Sequence, residues 1–338
     1  MNAPDPRRML DLLIKASRTF ALNIPLLPRP LMEAVTVGYL LLRNADTLED
    51  AYRWPRERRT DELERYIHVL THPADGQGAQ EFADRFGPDV APENAGHLEV
   101  LRETPTVLAA LNALPSGYAP VIIEHVERVA RRMIEWVNQH DAINRLSLRR
   151  LQELDDYCYS VAGIVGEMIT SLIAVYYPAL NRSQLLYLRT LETAYGAGLQ
   201  LTNIIKDVLR DHEEGRHYIP QEYLPVGPDD GLECILPIFN YAYRNLSHGI
   251  EYVLALPPSE TGLRKACLVP LLLAAATLTR LQTHTEELFS GADVKISRET
   301  VMELLQAVER VVSDNLQIRQ TWAQLTQPLA VLNEGFIV

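Results

Sequence analysis

Apolar residues recur three and four apart through almost all of the 338 residues, and no run alternates as a half-buried strand does. That regularity confines the chain to helices packed on helices. Prolines and glycines mark the joints. A first helix over Arg7–Ala16 ends at SRTFALNIPLLPRP, where Pro25, Pro28 and Pro30 stop regular structure. A long helix runs from Leu31 to Tyr52, and Pro55 opens another through Val69. Pro73–Pro92 reads as loop with one short helix at Ala79–Phe86. Glu93–Leu114 and Tyr118–His140 read as two amphipathic helices, split by Pro115-Ser116-Gly117. Ser147 stands where it would cap a short helix through Leu154, and Leu154–Tyr177 is a strongly apolar helix closed by Pro178. Ser183 opens a long helix that reaches Glu214-Gly215. Beyond a Pro225–Gly231 loop come helices near Cys234–Ala255, Gly262–Phe289 and Arg298–Leu325, the last capped by Ser297 or Thr300. With no low-complexity linker, the expectation is a single all-α domain with long helices around a central cavity.

Two of these helices carry paired carboxylates. In GLQLTNIIKDVLRDHEEGRHYIP, no glycine or proline interrupts Leu199–Glu214, and Asp207 and Asp211 lie four apart. On one continuous helix they share a face, about 6 Å apart along the axis. Their repulsion is about 3 kcal/mol at an effective dielectric near 20. GYLLLRNADTLEDA repeats the pattern with Asp46 and Asp50. All-oxygen donors suit a hard divalent ion, and Mg²⁺ commonly joins one or two carboxylates to substrate phosphates. Two such helices, if they face one another, would grip a diphosphate through bridging Mg²⁺. The alternative is a pair of solvated acidic faces, with Arg43 and Lys206 pairing locally.

Lys plus Arg is 32 and Asp plus Glu is 44, a net charge of −12, which argues against a nucleic-acid surface and suits a chain that recruits cations. Cys158, Cys234 and Cys267 match neither a disulfide framework nor metal-ligand spacing, so reduced thiols in a cytoplasm are expected. MNAPDPRRML lacks the apolar core of a signal peptide, and the apolar run Cys267–Leu278 is too short to span a bilayer. His212 and His217, the histidines flanking Gly215, read as solvent-facing.

SRTF (Ser17–Phe20), YLLLRNADTLED (Tyr39–Asp50), YCYSVAGIVG (Tyr157–Gly166), QLTNIIKDVLRD (Gln200–Asp211), GRHYIPQE (Gly215–Glu222) and FSGADVKISR (Phe289–Arg298) occur in one order across most of the chain. Together they resemble the squalene/phytoene synthase family, nearest its squalene-forming branch. The resemblance implies the class I isoprenoid (terpenoid) synthase fold. It also implies head-to-head condensation of two farnesyl diphosphates to presqualene diphosphate, then reductive rearrangement to squalene with NADPH or NADH. The branches that stop at presqualene diphosphate, dehydrosqualene or phytoene need no reductant, and a helical protein that only binds prenyl diphosphates could keep the same motifs.

On this resemblance Asp46, Asp50, Asp207 and Asp211 hold Mg²⁺, with Mn²⁺ as a substitute. Ser17, Arg18, Phe20, Arg43, Gln200, Asn203 and Arg216 bind the substrate diphosphates; a guanidinium fork suits phosphate oxygens. Tyr157 matches the catalytic tyrosine, and Tyr39 is a second candidate four residues before Arg43 on the same helix face. Val161, Ala162 and Gly163 border the substrate channel, with close helix packing as the other reading of these small residues. No GxGxxG follows a strand, and the resemblance points to Asn203, Lys295 and Arg298 for the nicotinamide cofactor. The chain departs from the family at Leu201, Lys206, Ala51 and Ala266. The C-terminal anchor of the eukaryotic enzymes is not expected, which leaves a peripheral membrane contact for product release.

Overall fold

The computed structural model describes residues 5–17, 19–91, 94–140, 145–224, 234–284 and 294–334. Helices dominate, and strands among the described residues are limited to one parallel pair, Leu146–Ser147 with Arg216–His217. The chain forms two compact units. One comprises Met1–Asn144 with Glu167–Asn181, the other Arg145–Gly166 with Arg182–Val338.

In the first unit, α1 (Pro6–Ala16) begins at an Asp5 cap whose carboxylate accepts from the Arg7 N–H, and α2 (Phe20–Asn23) follows after a short turn. At its centre lies α3 (Leu31–Glu49), with Leu31, Ala34, Leu40, Leu41, Ala45 and Leu48 fully enclosed. It is apolar nearly all round, as a helix surrounded by others must be. Around it pack α1, α4 (Arg56–Thr71), α6 (Ala95–Arg102), α7 (Thr104–Ala113) and α8 (Tyr118–Asn138), with the short α5 (Gly76–Ala83) against α4 and α7.

The second unit starts with α9 (Leu151–Cys158), a π turn at Tyr159–Gly163 and the opening residues of α10 (Ile164–Tyr176). It continues with α11 (Arg182–Lys206), α12 (Val208–Glu213), α13 (Leu236–Ala255), α14 (Thr261–Thr283) and the helices Arg298–Val311 and Asn315–Glu334. The pairing of α11 with α13 forms its core, and a second close seam joins α11 to the π turn. A Cβ on Gly196 would sit 2.0 Å from the Ala162 carbonyl oxygen, and one on Gly166 2.0 Å from that of Glu192. Only glycine permits this approach, so close helix packing is one role of the small-residue stretch.

Several boundaries differ from the sequence reading. The expected helix Glu93–Leu114 is two helices broken at Glu103, because Pro105 lacks an N–H and restricts the residue before it. Ser147 caps nothing: it pairs with His217, and its hydroxyl accepts from Gln221. The start of α9 is instead satisfied from afar, the Glu222 carboxylate accepting the Leu151 N–H at 2.6 Å. Arg298–Leu325 is also two helices, because Asp314 caps a new start by accepting from the Leu316 and Gln317 N–H groups. Ser297 is the cap of the earlier one, accepting from Thr300. The long helix from Leu31 stops at Glu49 rather than Tyr52, with Asp50 as its C-cap. The Pro225–Gly231 loop lies outside the described residues. Finally, the apolar run at Cys267–Leu278 belongs to a longer helix. Leu151–Tyr176 and Thr261–Thr283 are both long and apolar enough to cross a membrane, although half or more of each apolar window is buried within the protein.

Candidate functional site

In the first unit the carboxylate pair straddles the C-terminal end of α3. The Asp50 N–H donates to the Asp46 carbonyl at 2.8 Å, so the two residues keep the i,i+4 relation although Asp50 is already the cap. A helix C-terminus carries partial negative charge, so two carboxylates there add to it and favour a cation. Arg43 supplies one: its guanidinium pairs with Asp46 and donates to the Tyr39 hydroxyl at 3.0 Å. Burial works against the charge of Arg43, but Asp46, Tyr39 and Asp50 outweigh it and raise its pKa. Its Nε–H is buried and meets no acceptor among the described residues. A donor left in this state is what an incoming anion would satisfy.

The turn after α1 leans on the same face. Ser17 Oγ accepts the Phe20 N–H at 3.1 Å, and the Phe20 ring lies 4.9 Å from that of Tyr39. Arg18 lies outside the described residues.

In the second unit the expected continuous helix through Glu214 is broken at Asp207, where α11 ends and α12 begins. The backbone there moves to φ −98°, ψ 12°, in keeping with a short polar side chain that competes for backbone hydrogen bonds. The ladder nevertheless survives: Asp207 N–H donates to Asn203 at 2.8 Å, and Asp211 N–H donates to Asp207 at 2.9 Å. This pair therefore keeps the i,i+4 relation across the joint, with Asp207 between α11 and α12 and Asp211 inside α12. The Asp207 carboxylate pairs with Lys206 at 2.8 Å and with Arg210 at 3.2 Å. Asp211 is buried and accepts from Arg216 Nη2 at 2.6 Å and Nε at 3.2 Å; Arg216 also pairs with Glu214. Burial pushes the Asp211 carboxyl pKa up, Arg216 opposes this, and Asp207 adds to it. Gln200 and Asn203 lie two turns and one turn before Asp207 on one face of α11, with Asn203 exposed.

Tyr157, at the end of α9, is buried and donates its hydroxyl to that of Tyr218 at 2.9 Å, the rings 4.6 Å apart. The π turn with Val161, Ala162 and Gly163 follows directly; such turns recur at functional positions. Lys295 is exposed in the link before the helix Arg298–Val311, and Arg298 is that helix's first residue, also exposed. His212 is exposed as expected, whereas His217 is half-buried with its ring edge-on to His212.

The donor set fits a hard divalent ion. Each pair offers carboxylate oxygens, and the pair on α3 does so at a negative helix end. Among the described residues no three His, Cys, Asp or Glu side chains come together as a metal cluster. Sequence reasoning missed two residues here. Tyr218 lies inside a motif it had quoted, GRHYIPQE, and a buried hydroxyl partner for Tyr157 was the signal to look for. His97 on α6, near Arg43 and Asp50, had no local signal.

The profile of the squalene/phytoene synthase family matches residues 13–300. The squalene synthase of Saccharomyces cerevisiae is 31% identical over 313 residues, covering 87% of this chain and 65% of that protein. That of Schizosaccharomyces pombe is 27% identical over 284 residues, covering 80% of this chain and 58% of that protein. The chain thus spans somewhat less than two thirds of the length of these curated relatives. A solved structure of TcSQS with the ligand E5700 superposes with a TM-score of 0.80 at 25% identity, covering 98% of this chain and 92% of that one. The all-α fold is therefore that of the isoprenoid (terpenoid) synthases.

Proposed function

The chain belongs to the squalene/phytoene synthase family, and from that premise we propose that it is a squalene synthase. It joins two farnesyl diphosphates head to head into presqualene diphosphate, releasing inorganic diphosphate, then rearranges and reduces that intermediate to squalene. The reading is supported chiefly by the recurrence, in each unit, of an i,i+4 aspartate pair with an arginine paired to one of its carboxylates.

Asp46 and Asp50 on α3, and Asp207 and Asp211 around the start of α12, hold the divalent ions. Mg²⁺, when bound, supplies Lewis-acid neutralisation of the departing diphosphate. Arg43 binds phosphate oxygens through the Nε–H that meets no acceptor among the described residues, and Arg216 does so from its place beside Asp211. Ser17, Arg18, Phe20, Gln200 and Asn203 complete the diphosphate contacts. Tyr157 Oη assists loss of the proton that closes the cyclopropane, with the released diphosphate as the final base, and its hydroxyl is oriented by the Tyr218 hydroxyl to which it donates. Tyr39 orients Arg43, whose guanidinium donates to its hydroxyl and lies 5.7 Å from its ring centroid, and is the second candidate beside the cationic carbon. Val161, Ala162 and Gly163 border the isoprenoid chain.

The reductive half draws on NADPH as hydride donor, held by Asn203, Lys295 and Arg298. Product release involves a peripheral membrane contact. Incubation with farnesyl diphosphate and Mg²⁺, with and without NADPH, tests the reading. Squalene formed only with NADPH is expected. An identical product in both reactions would remove the reductive half, and substrate binding without any product would leave a non-catalytic prenyl-diphosphate binder.

A further inference from the structure

One imidazole outside the recognised motifs touches the segment that carries SRTF. His97, in the first turn of α6, approaches the carbonyl oxygen of Ala16 with Nε2 at 3.3 Å. Ala16 closes α1 and directly precedes Ser17, so its carbonyl belongs to the orphan set that every helix C-terminus leaves. A carbonyl only accepts, so Nε2 must carry the hydrogen.

The two helices are held together at this point by more than one contact. A Cβ on Gly96 would stand 2.5 Å from the Lys15 carbonyl oxygen, so α6 reaches α1 only because residue 96 is glycine. Lys15 pairs with Glu99 at 2.9 Å, Arg8 with Glu99 at 3.0 Å, and Arg8 also with Glu103. Beyond Ala16 the contacts run on without a gap. Ser17 Oγ holds the Phe20 N–H, Phe20 lies on Tyr39, Tyr39 accepts from Arg43, and Arg43 pairs with Asp46. The charges of Arg43 and Asp50 are both felt at the His97 ring, which places it near this cluster as well as near α1.

We propose that His97 is a positioning residue for diphosphate binding, its Nε2–H fixing the Ala16 carbonyl so that Ser17 holds Phe20 with its ring against Tyr39, the acceptor for Arg43. The inference rests on the functional reading above and adds to it a residue outside every quoted motif. Without the hydrogen bond the turn is free to shift, and substrate affinity suffers before the chemistry does.

The test compares full-length wild type, His97→Ala and His97→Gln, the glutamine amide being able to donate to the same carbonyl. Three readouts are taken: KM and kcat for presqualene diphosphate formation, calorimetric binding of inorganic diphosphate with Mg²⁺, and Tm. For His97→Ala, KM and the diphosphate Kd should both rise about tenfold, the scale of one lost hydrogen bond, with kcat within about threefold of wild type. His97→Gln should recover most of the loss. Unchanged KM and Kd in His97→Ala would overturn the inference alone. So would losses that follow Tm alike in both variants, since those would mark a structural role only. A wild type that binds no diphosphate would overturn the functional reading and this inference together.

Discussion

The hydroxyl of Tyr157 donates to that of Tyr218 across 2.9 Å, and both side chains are buried. A buried phenol seldom lies opposite another without a task, because each loses water on burial and must find a partner. Tyr157→Phe should lower the rate of presqualene diphosphate formation about 100-fold or more, the range of general acid–base assistance. Tyr218→Phe leaves the Tyr157 oxygen in place but removes its acceptor, and should cost about tenfold. Single-turnover assays on both variants check the order. Equal losses would mean that the two hydroxyls act as one unit.

The seam between α11 and the π turn makes a prediction about stability. Gly196→Ala brings a methyl group against the Ala162 carbonyl, and should destabilise by about 3 kcal/mol or prevent folding. Gly76→Ala, at the start of α5 with nothing within 4 Å of the added methyl, should be neutral or stabilising by about 0.5 kcal/mol. Denaturant unfolding of the two variants side by side decides.

His97 gives the molecule a pH signature. Burial first, and then Arg43, bring its pKa down to about 4, against the opposing Ala16 carbonyl and Asp50. The unfolded chain therefore binds this proton more readily than the folded one. The stability that the neutral ring contributes is complete above its ordinary pKa of 6.5 and drains away as pH falls toward about 4. In His97→Gln the fall in Tm between pH 6.5 and 4 should be shallower than in wild type. Parallel curves would show that the ring is not shielded as described.

Fold class was legible because helical periodicity is a long-range average that survives local mistakes, and the family motifs marked both carboxylate pairs. The misplaced joints have two different causes. Pro105 was a visible breaker inside an apolar run that was read through. Asp314 and Glu222, by contrast, satisfy helix starts with side chains, and Glu222 does so from 71 residues away. The break at Asp207 and the π turn at Tyr159–Gly163 are changes of backbone path that leave the spacing of apolar residues nearly intact. Arg43 with Asp46 and Tyr39 followed from i,i+3 and i,i+4 geometry on one helix. The contacts Tyr157–Tyr218 and His97–Ala16 join residues 61 and 81 positions apart; Tyr218 at least lies within GRHYIPQE, whereas nothing in the sequence around His97 marks its contact.

The central claim is that both aspartate pairs bind divalent ions that carry away diphosphate, and one titration addresses it directly. Inorganic diphosphate release from farnesyl diphosphate is followed as Mg²⁺ is raised, for wild type, Asp46→Asn and Asp207→Asn. Both aspartates are partly exposed at helix ends, so the variants should melt close to wild type. Wild type should release diphosphate with a saturable dependence on Mg²⁺, and each variant should be slower by about 1000-fold or more at every concentration. Wild-type rates in both variants, or release that ignores Mg²⁺, would contradict the account.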